Sequence, residues 1–130
     1  MEEYSVEIIE ASRDFTPRER LKIMRNGQML SMDSAIEEAK ANGATLEICP
    51  VDYAVVKIFN PIAKGDKEYE KFVVFEKGGA MFCTGSKSFF TSFKVIWDTM
   101  KETDEEYSIE LFKRDSKNYP GKTYIDCAII

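Results

Sequence analysis

The spacing of apolar positions along the 130 residues switches between two and about 3.6, and each switch marks an element. The clearest signal runs from Lys87 to Lys101, where Phe89, Phe93, Ile96, Trp97 and Met100 fall at i, i+4, i+7, i+8 and i+11. That is one face of a helix, and core packing explains the stripe without a ligand. Three strand patterns precede it: Tyr53 to Phe59, Tyr69 to Glu76 and Ala80 to Thr84. Asn60-Pro61 and Lys64-Gly65-Asp66 connect the first two, and Lys77-Gly78-Gly79 is a tight hairpin turn before the third. Beyond the helix, the acidic run Glu102 to Glu106 opposes the helix dipole and reads as a solvated exit loop. Two alternating strands follow, Tyr107 to Arg114 and Lys122 to Ile130, around the loop Asp115 to Gly121.

The first fifty residues are patterned differently. Tyr4 to Glu10 predicts a short strand, with Ile8-Ile9 breaking the alternation. Thr16-Pro17-Arg18-Glu19 is a capping box with proline at the first helical position, predicting a helix to about Met24. Asn26-Gly27 signals a turn. Ala35, Ile36 and Ala39 form the stripe of a helix from Asp33 to Asn42, with Gly43 as its C-terminal cap. Thr45 to Cys49 is a strand that Pro50 ends.

From Tyr53 onward the order is β-β-β-α-β-β, that of the five-stranded OB-fold barrel with its helix between strands three and four. With no repeats, low-complexity tract or linker, the chain reads as one α+β domain over 1–130. Residues 1–50 are an N-terminal β/α extension and 51–130 an OB-like core.

Composition narrows the function. Eighteen basic against 23 acidic residues give a net charge of −5, which excludes bulk-charge coating of nucleic acid. The absence of histidine removes Ser-His and Cys-His nucleophile pairs and imidazole metal ligands. Cys49, Cys83 and Cys127 have neither a disulfide nor a zinc spacing and read as buried thiols of a reducing cytoplasm. No apolar run approaches the ~20 residues of a membrane span, and no signal sequence opens the chain. Cys127-Ala128-Ile129-Ile130 has the form of a prenylation box, yet it also ends the alternating strand, which is the reading adopted. No phosphate-cradling glycine loop is present, because Gly78-Gly79 opens a hairpin rather than a helix. The carboxylate pairs Asp104/Glu105 and Glu37/Glu38 read as solvated faces. No cofactor, metal or enzymatic activity is expected.

Charge is unevenly placed. Residues 1–50 carry a net −4 and residues 51–130 a net −1, and the latter becomes +3 without the run Glu102 to Glu106. Lys113, Arg114, Lys117 and Lys122 face Asp115 alone around the last loop, with Tyr119 among them. In an OB-fold that loop flanks the nucleic-acid groove. Strand alternation puts Tyr107, Ile109 and Leu111 on an apolar face and Phe112 opposite, with Ser108, Glu110 and Arg114. Tyr124 likewise stands opposite Ile125, Cys127 and Ile129, beside Lys122 and Asp126. Aromatics on polar faces near cations suit base stacking with phosphate contact. The competing reading is that the N-terminal elements cover that face and bury both rings.

These residues carry a resemblance. Phe72-Val73-Val74-Phe75, Ala80 to Lys87, Tyr107 to Phe112 and the closing strand Thr123 to Ile129 resemble the small single-stranded DNA-binding proteins of tailed phages with protein-primed replication, over about 75 residues. The resemblance implies an acidic, cytoplasmic, OB-like protein, working in phage DNA replication or recombination inside the host cell. It also implies that Phe82, and with it Tyr53, match aromatic binding residues of that family. This chain has a longer N-terminal segment and lacks the acidic tail of many single-strand binders. Separately, 29–59 is similar to part of the N-terminal domain of bacterial translation initiation factor three. Lys64 to Glu70 is mixed in sign where that family has a basic linker, so we read a shared helix–strand–hairpin pattern rather than kinship.

The expectation is therefore non-enzymatic, sequence-tolerant binding of single-stranded DNA. Tyr53, Phe82, Phe112, Tyr119 and Tyr124 would stack bases, and Lys57, Lys71, Arg114, Lys117 and Lys122 would neutralise phosphates. A host or phage replication protein is a further partner on this reading. The alternative is an acidic protein-binding module, such as a phage inhibitor of a host nucleic-acid enzyme, acting through the acidic N-terminal half.

Overall fold

The computed structural model describes residues 5–25, 29–62 and 64–130. Among them the order is β1 (Ser5–Ala11), α1 (Pro17–Arg25), β2 (Met29–Ser31), α2 (Met32–Ala41), β3 (Leu46–Ile48), β4 (Pro50–Phe59), β5 (Glu68–Glu76), β6 (Met81–Thr84), α3 (Lys87–Met100), β7 (Ile109–Asp115) and β8 (Thr123–Ile129). The Asn26-Gly27 turn and Tyr4 lie outside the described residues.

Local chemistry sets the helix starts. The Thr16 amide donates to Glu19 Oε1 at 2.8 Å and the Glu19 amide to Thr16 Oγ1 at 3.2 Å, both halves of the capping box. Ser86 caps α3 by accepting from the Phe89 amide at 3.2 Å. α2 closes at Gly43, whose φ of +70° is the left-handed conformation that glycine adopts without strain.

The strands form two open sheets. One has the order β1-β4-β5-β6-β2, antiparallel except for β2 beside β6, and the other the order β3-β7-β8. The β-β-β-α-β-β order from β4 onward is present, but its five strands do not close into a barrel. The reason lies in edge occupancy: β1 fills the free edge of β4 and β3 that of β7, leaving no edge for the closing pair. Pro50 does not end a strand. It begins β4, at a first position where its missing N–H is tolerated, and the chain changes sheet across Cys49.

Each face of the larger sheet has its own core. Ala54, Val56, Ile58, Val73, Met81 and Cys83 pack under Phe15 and Ile23 of the α1 segment. On the other face Tyr53, Val74 and Phe82 meet Phe89 and Phe93 of α3, Met32 and Ile36 of α2, and the inner side of the smaller sheet. Phe89 and Phe93 are fully buried, while Ile96 and Trp97 pack against them from the edge. Ile109, Leu111, Ile125 and Cys127 supply that inner side, which turns the other face of the β7–β8 hairpin outward. No helix among the described residues is long and apolar enough to cross a membrane.

Candidate nucleic-acid interface

In an antiparallel pair, residues directly opposite share a face. The pairs Phe112↔Asp126 and Arg114↔Tyr124 therefore place four polar-face side chains together on the outer side of β7 and β8. With Lys113, Asp115 and Lys117 they line an open groove of about 560 Å³. Beyond it the loop is braced by its own bonds: the Ser116 amide to Lys122 O at 2.9 Å, Lys122 N to Tyr119 O at 3.0 Å and Tyr119 N to Ser116 Oγ at 3.2 Å. Gly121 makes the turn at φ +82°. Lys117, Tyr119 and Lys122 are left exposed, Tyr119 at 68%.

Four of the ten expected site residues, Phe112, Arg114, Lys117 and Tyr124, thus line one groove, and two more, Tyr119 and Lys122, are exposed on the loop that ends the hairpin. Phe112 and Tyr124 are half-buried rather than fully presented. Of the N-terminal elements, β1 lies along β4 and α1 beneath the larger sheet, while α2 and β3 reach the edge of β7, where Thr45 and Leu46 share a depression with Phe112. Arg114 itself covers Phe112, with its guanidinium carbon 4.9 Å from the ring centroid.

The other four belong elsewhere. Tyr53 is 5% exposed and Phe82 6%, so neither ring can reach a base. Tyr53 sits edge-on to Phe90, Phe93 and Trp97, and its hydroxyl accepts from Lys94 Nζ at 2.8 Å and donates to Glu10 Oε2 at 2.9 Å. Burial outweighs the Lys94 contact and raises the Tyr53 phenol above its usual range. Both rings share a face of the larger sheet with Val74, packed against α3. Lys57 and Lys71 lie in the larger sheet, away from the hairpin, and Lys57 is paired with Glu68. The depression of about 460 Å³ beside Lys57 carries Asp66, Glu68 and Glu70 against Lys57 and Lys87, which does not suit a polyanion.

Two partnerships escape any reading of the sequence. Lys113 is paired with Asp33 at 2.6 Å and Glu37 at 2.7 Å, both on α2, so this cation serves the fold. Arg114 Nε donates to Asp126 Oδ2 at 2.8 Å. Burial pushes the Asp126 carboxyl up, but hydrogen bonds from Ser92, Arg114 and the Cys127 amide outweigh it and hold it below its usual range. Among the described residues no ion pair engages Lys71, Lys117 or Lys122, and no cluster of His, Cys, Asp and Glu could hold a metal.

Comparison with protein-family models, curated proteins and solved structures finds no match to this chain.

Proposed function

We propose that the protein binds single-stranded DNA without enzymatic activity and with little sequence preference, through the outer face of the β7–β8 hairpin. One observation carries the reading: Phe112, Tyr124, Arg114 and Lys117 line one open groove on the β7–β8 pair, and the braced loop beyond it exposes Tyr119 and Lys122. Phe112, Tyr124 and Tyr119 stack bases, and Arg114, Lys117 and Lys122 contact phosphates. Any base has a π-face, so such a surface tolerates sequence. The OB-like order of the elements from β4 onward supports the same reading without barrel closure, and the phage resemblance adds a setting in DNA replication or recombination.

Amide chemical shifts during titration with oligothymidylate test where the strand sits. They are expected to move within 112–126 and to stay still around Tyr53 and Phe82. Shifts centred on β4 and β6 would overturn the assignment. A second reading, an acidic module that binds a protein, is favoured by one finding: Lys113 and Arg114 are already matched by carboxylates of the same chain. On that reading no oligonucleotide moves the hairpin resonances.

A further inference from the structure

We infer that Asp126 occupies, against Arg114, the place a strand phosphate takes, so that the hairpin face carries its own anionic competitor. The inference rests on the single-strand reading above and names the group that limits it.

The two partners are held very differently. The Asp126 side chain is 16% exposed, and its Oδ1 accepts from the Cys127 amide at 2.8 Å while Oδ2 accepts from Arg114. Donors on β8 and β7 therefore hold the anion. The Arg114 side chain is 54% exposed and rests on Phe112, so the arginine is the member free to leave. A guanidinium fork recognises carboxylate and phosphate by the same planar geometry, so one can replace the other without rebuilding the site. In its present place the arginine also lies over the Phe112 ring. Its transfer to a phosphate frees a ring face for a base in the same step. The carboxylate it leaves keeps its bond to the Cys127 amide. Charge and stacking surface are thus closed together and opened together.

This exchange has a thermodynamic signature. When Arg114 moves from carboxylate to phosphate, one ion pair replaces another, and the cation released from the DNA is offset by one taken up at Asp126. Arg114 then adds almost nothing to the salt dependence of binding. Asp126→Asn removes the charge while its amide oxygen still accepts from the Cys127 amide. In that variant Arg114 contributes a full phosphate contact.

The test measures Kd for a labelled oligothymidylate of about twelve nucleotides, within the site sizes of single-strand binders. Titrations run over a series of salt concentrations with the wild type, D126N, R114A and the double variant. The expected result is about 2–5-fold tighter binding by D126N at low salt, the range set by an exposed ion pair. The slope of log K against log salt should steepen by about 0.7, one further phosphate neutralised on a single strand. Both changes should vanish in the R114A background. Binding by the wild type with no gain in D126N overturns the inference and leaves the single-strand reading standing. An equal gain in the R114A background overturns it too, because bulk charge then explains the effect. No binding by any of the four proteins overturns both. Asp126→Ser, which shortens the side chain and keeps it polar, is expected to act in the same direction if melting shows D126N poorly folded.

Discussion

Replacing Phe112 by alanine separates stacking from packing, because the structure assigns the two effects different sizes. Phe112 is half-buried on the outer face of β7 and carries Arg114 over its ring at 4.9 Å. Full burial of a phenylalanine stabilises by about 1.5–3 kcal/mol, so partial burial here contributes about 1 kcal/mol. The exposed cation–π contact adds about 0.5–1 kcal/mol. Phe112→Ala should therefore lower stability by about 1.5–2 kcal/mol, whereas a base–aromatic contact removes ~1–3 kcal/mol of binding free energy. Phe93→Ala is the comparison. That ring is fully buried among Phe89, Tyr53 and Trp97, and its loss should destabilise by about 3–5 kcal/mol. Urea unfolding gives the stabilities, and fluorescence anisotropy with oligothymidylate gives the affinities, for the same preparations. The reasoning is refuted if Phe112→Ala loses as much stability as Phe93→Ala, because the ring is then core. It is equally refuted if the affinity does not change.

Tyr53→Phe removes a hydroxyl bonded to Lys94 and Glu10, so it should destabilise by about 1 kcal/mol and leave oligonucleotide affinity unchanged; a loss of affinity by anisotropy would return Tyr53 to the site. The Glu19 carboxyl, bonded to Arg13 and to the Thr16 amide, is lowered from the ordinary 4.5 to about 2. A lowered carboxyl stabilises the fold above its unfolded value and loses that effect as pH falls, so thermal melting should show α1 weakening between pH 4.5 and about 2, a loss blunted in Glu19→Gln. Burial raises the Cys83 thiol and pushes that of Cys127 to about 12, so neither should react with a thiol reagent in the native protein, while half-buried Cys49 labels first; rapid native labelling of Cys127 would show that β8 does not face the core.

What the sequence disclosed follows from the range of the interactions. The Thr16–Glu19 capping box, the Gly43 cap and the α3 stripe depend on residues within one or two turns, and they are present as expected. Even the awkward Ile8-Ile9 pair has a local meaning: the β1–β4 register shifts between Ile8 and Glu10, a bulge that absorbs the extra residue. Barrel closure was not legible, because it depends on which strand reaches an edge first. β2 has three residues, too few for a period to show, and the strand expected over 45–49 carries no sign of its partner, yet they occupy edges of β6 and β7. Within the site, alternation placed Phe112 and Tyr124 on the right face. It could not show that Lys113 is claimed by Glu37, 76 residues away, or that Arg114 crosses the hairpin to Asp126. Tyr53 and Phe82 were drawn into the site by resemblance, against the apolar character of their own strand faces.

The most direct measurement is an anisotropy titration of labelled oligothymidylate against a duplex of equal length, repeated from low to moderate salt. The account predicts micromolar or tighter binding of the single strand, weaker binding of the duplex, and a log–log salt slope near −1.4 for the two cations, Lys117 and Lys122, that meet phosphate without giving up a carboxylate. A flat titration with every oligonucleotide, or an affinity that salt leaves unchanged, would contradict it and turn attention to the acidic surface as a site for protein.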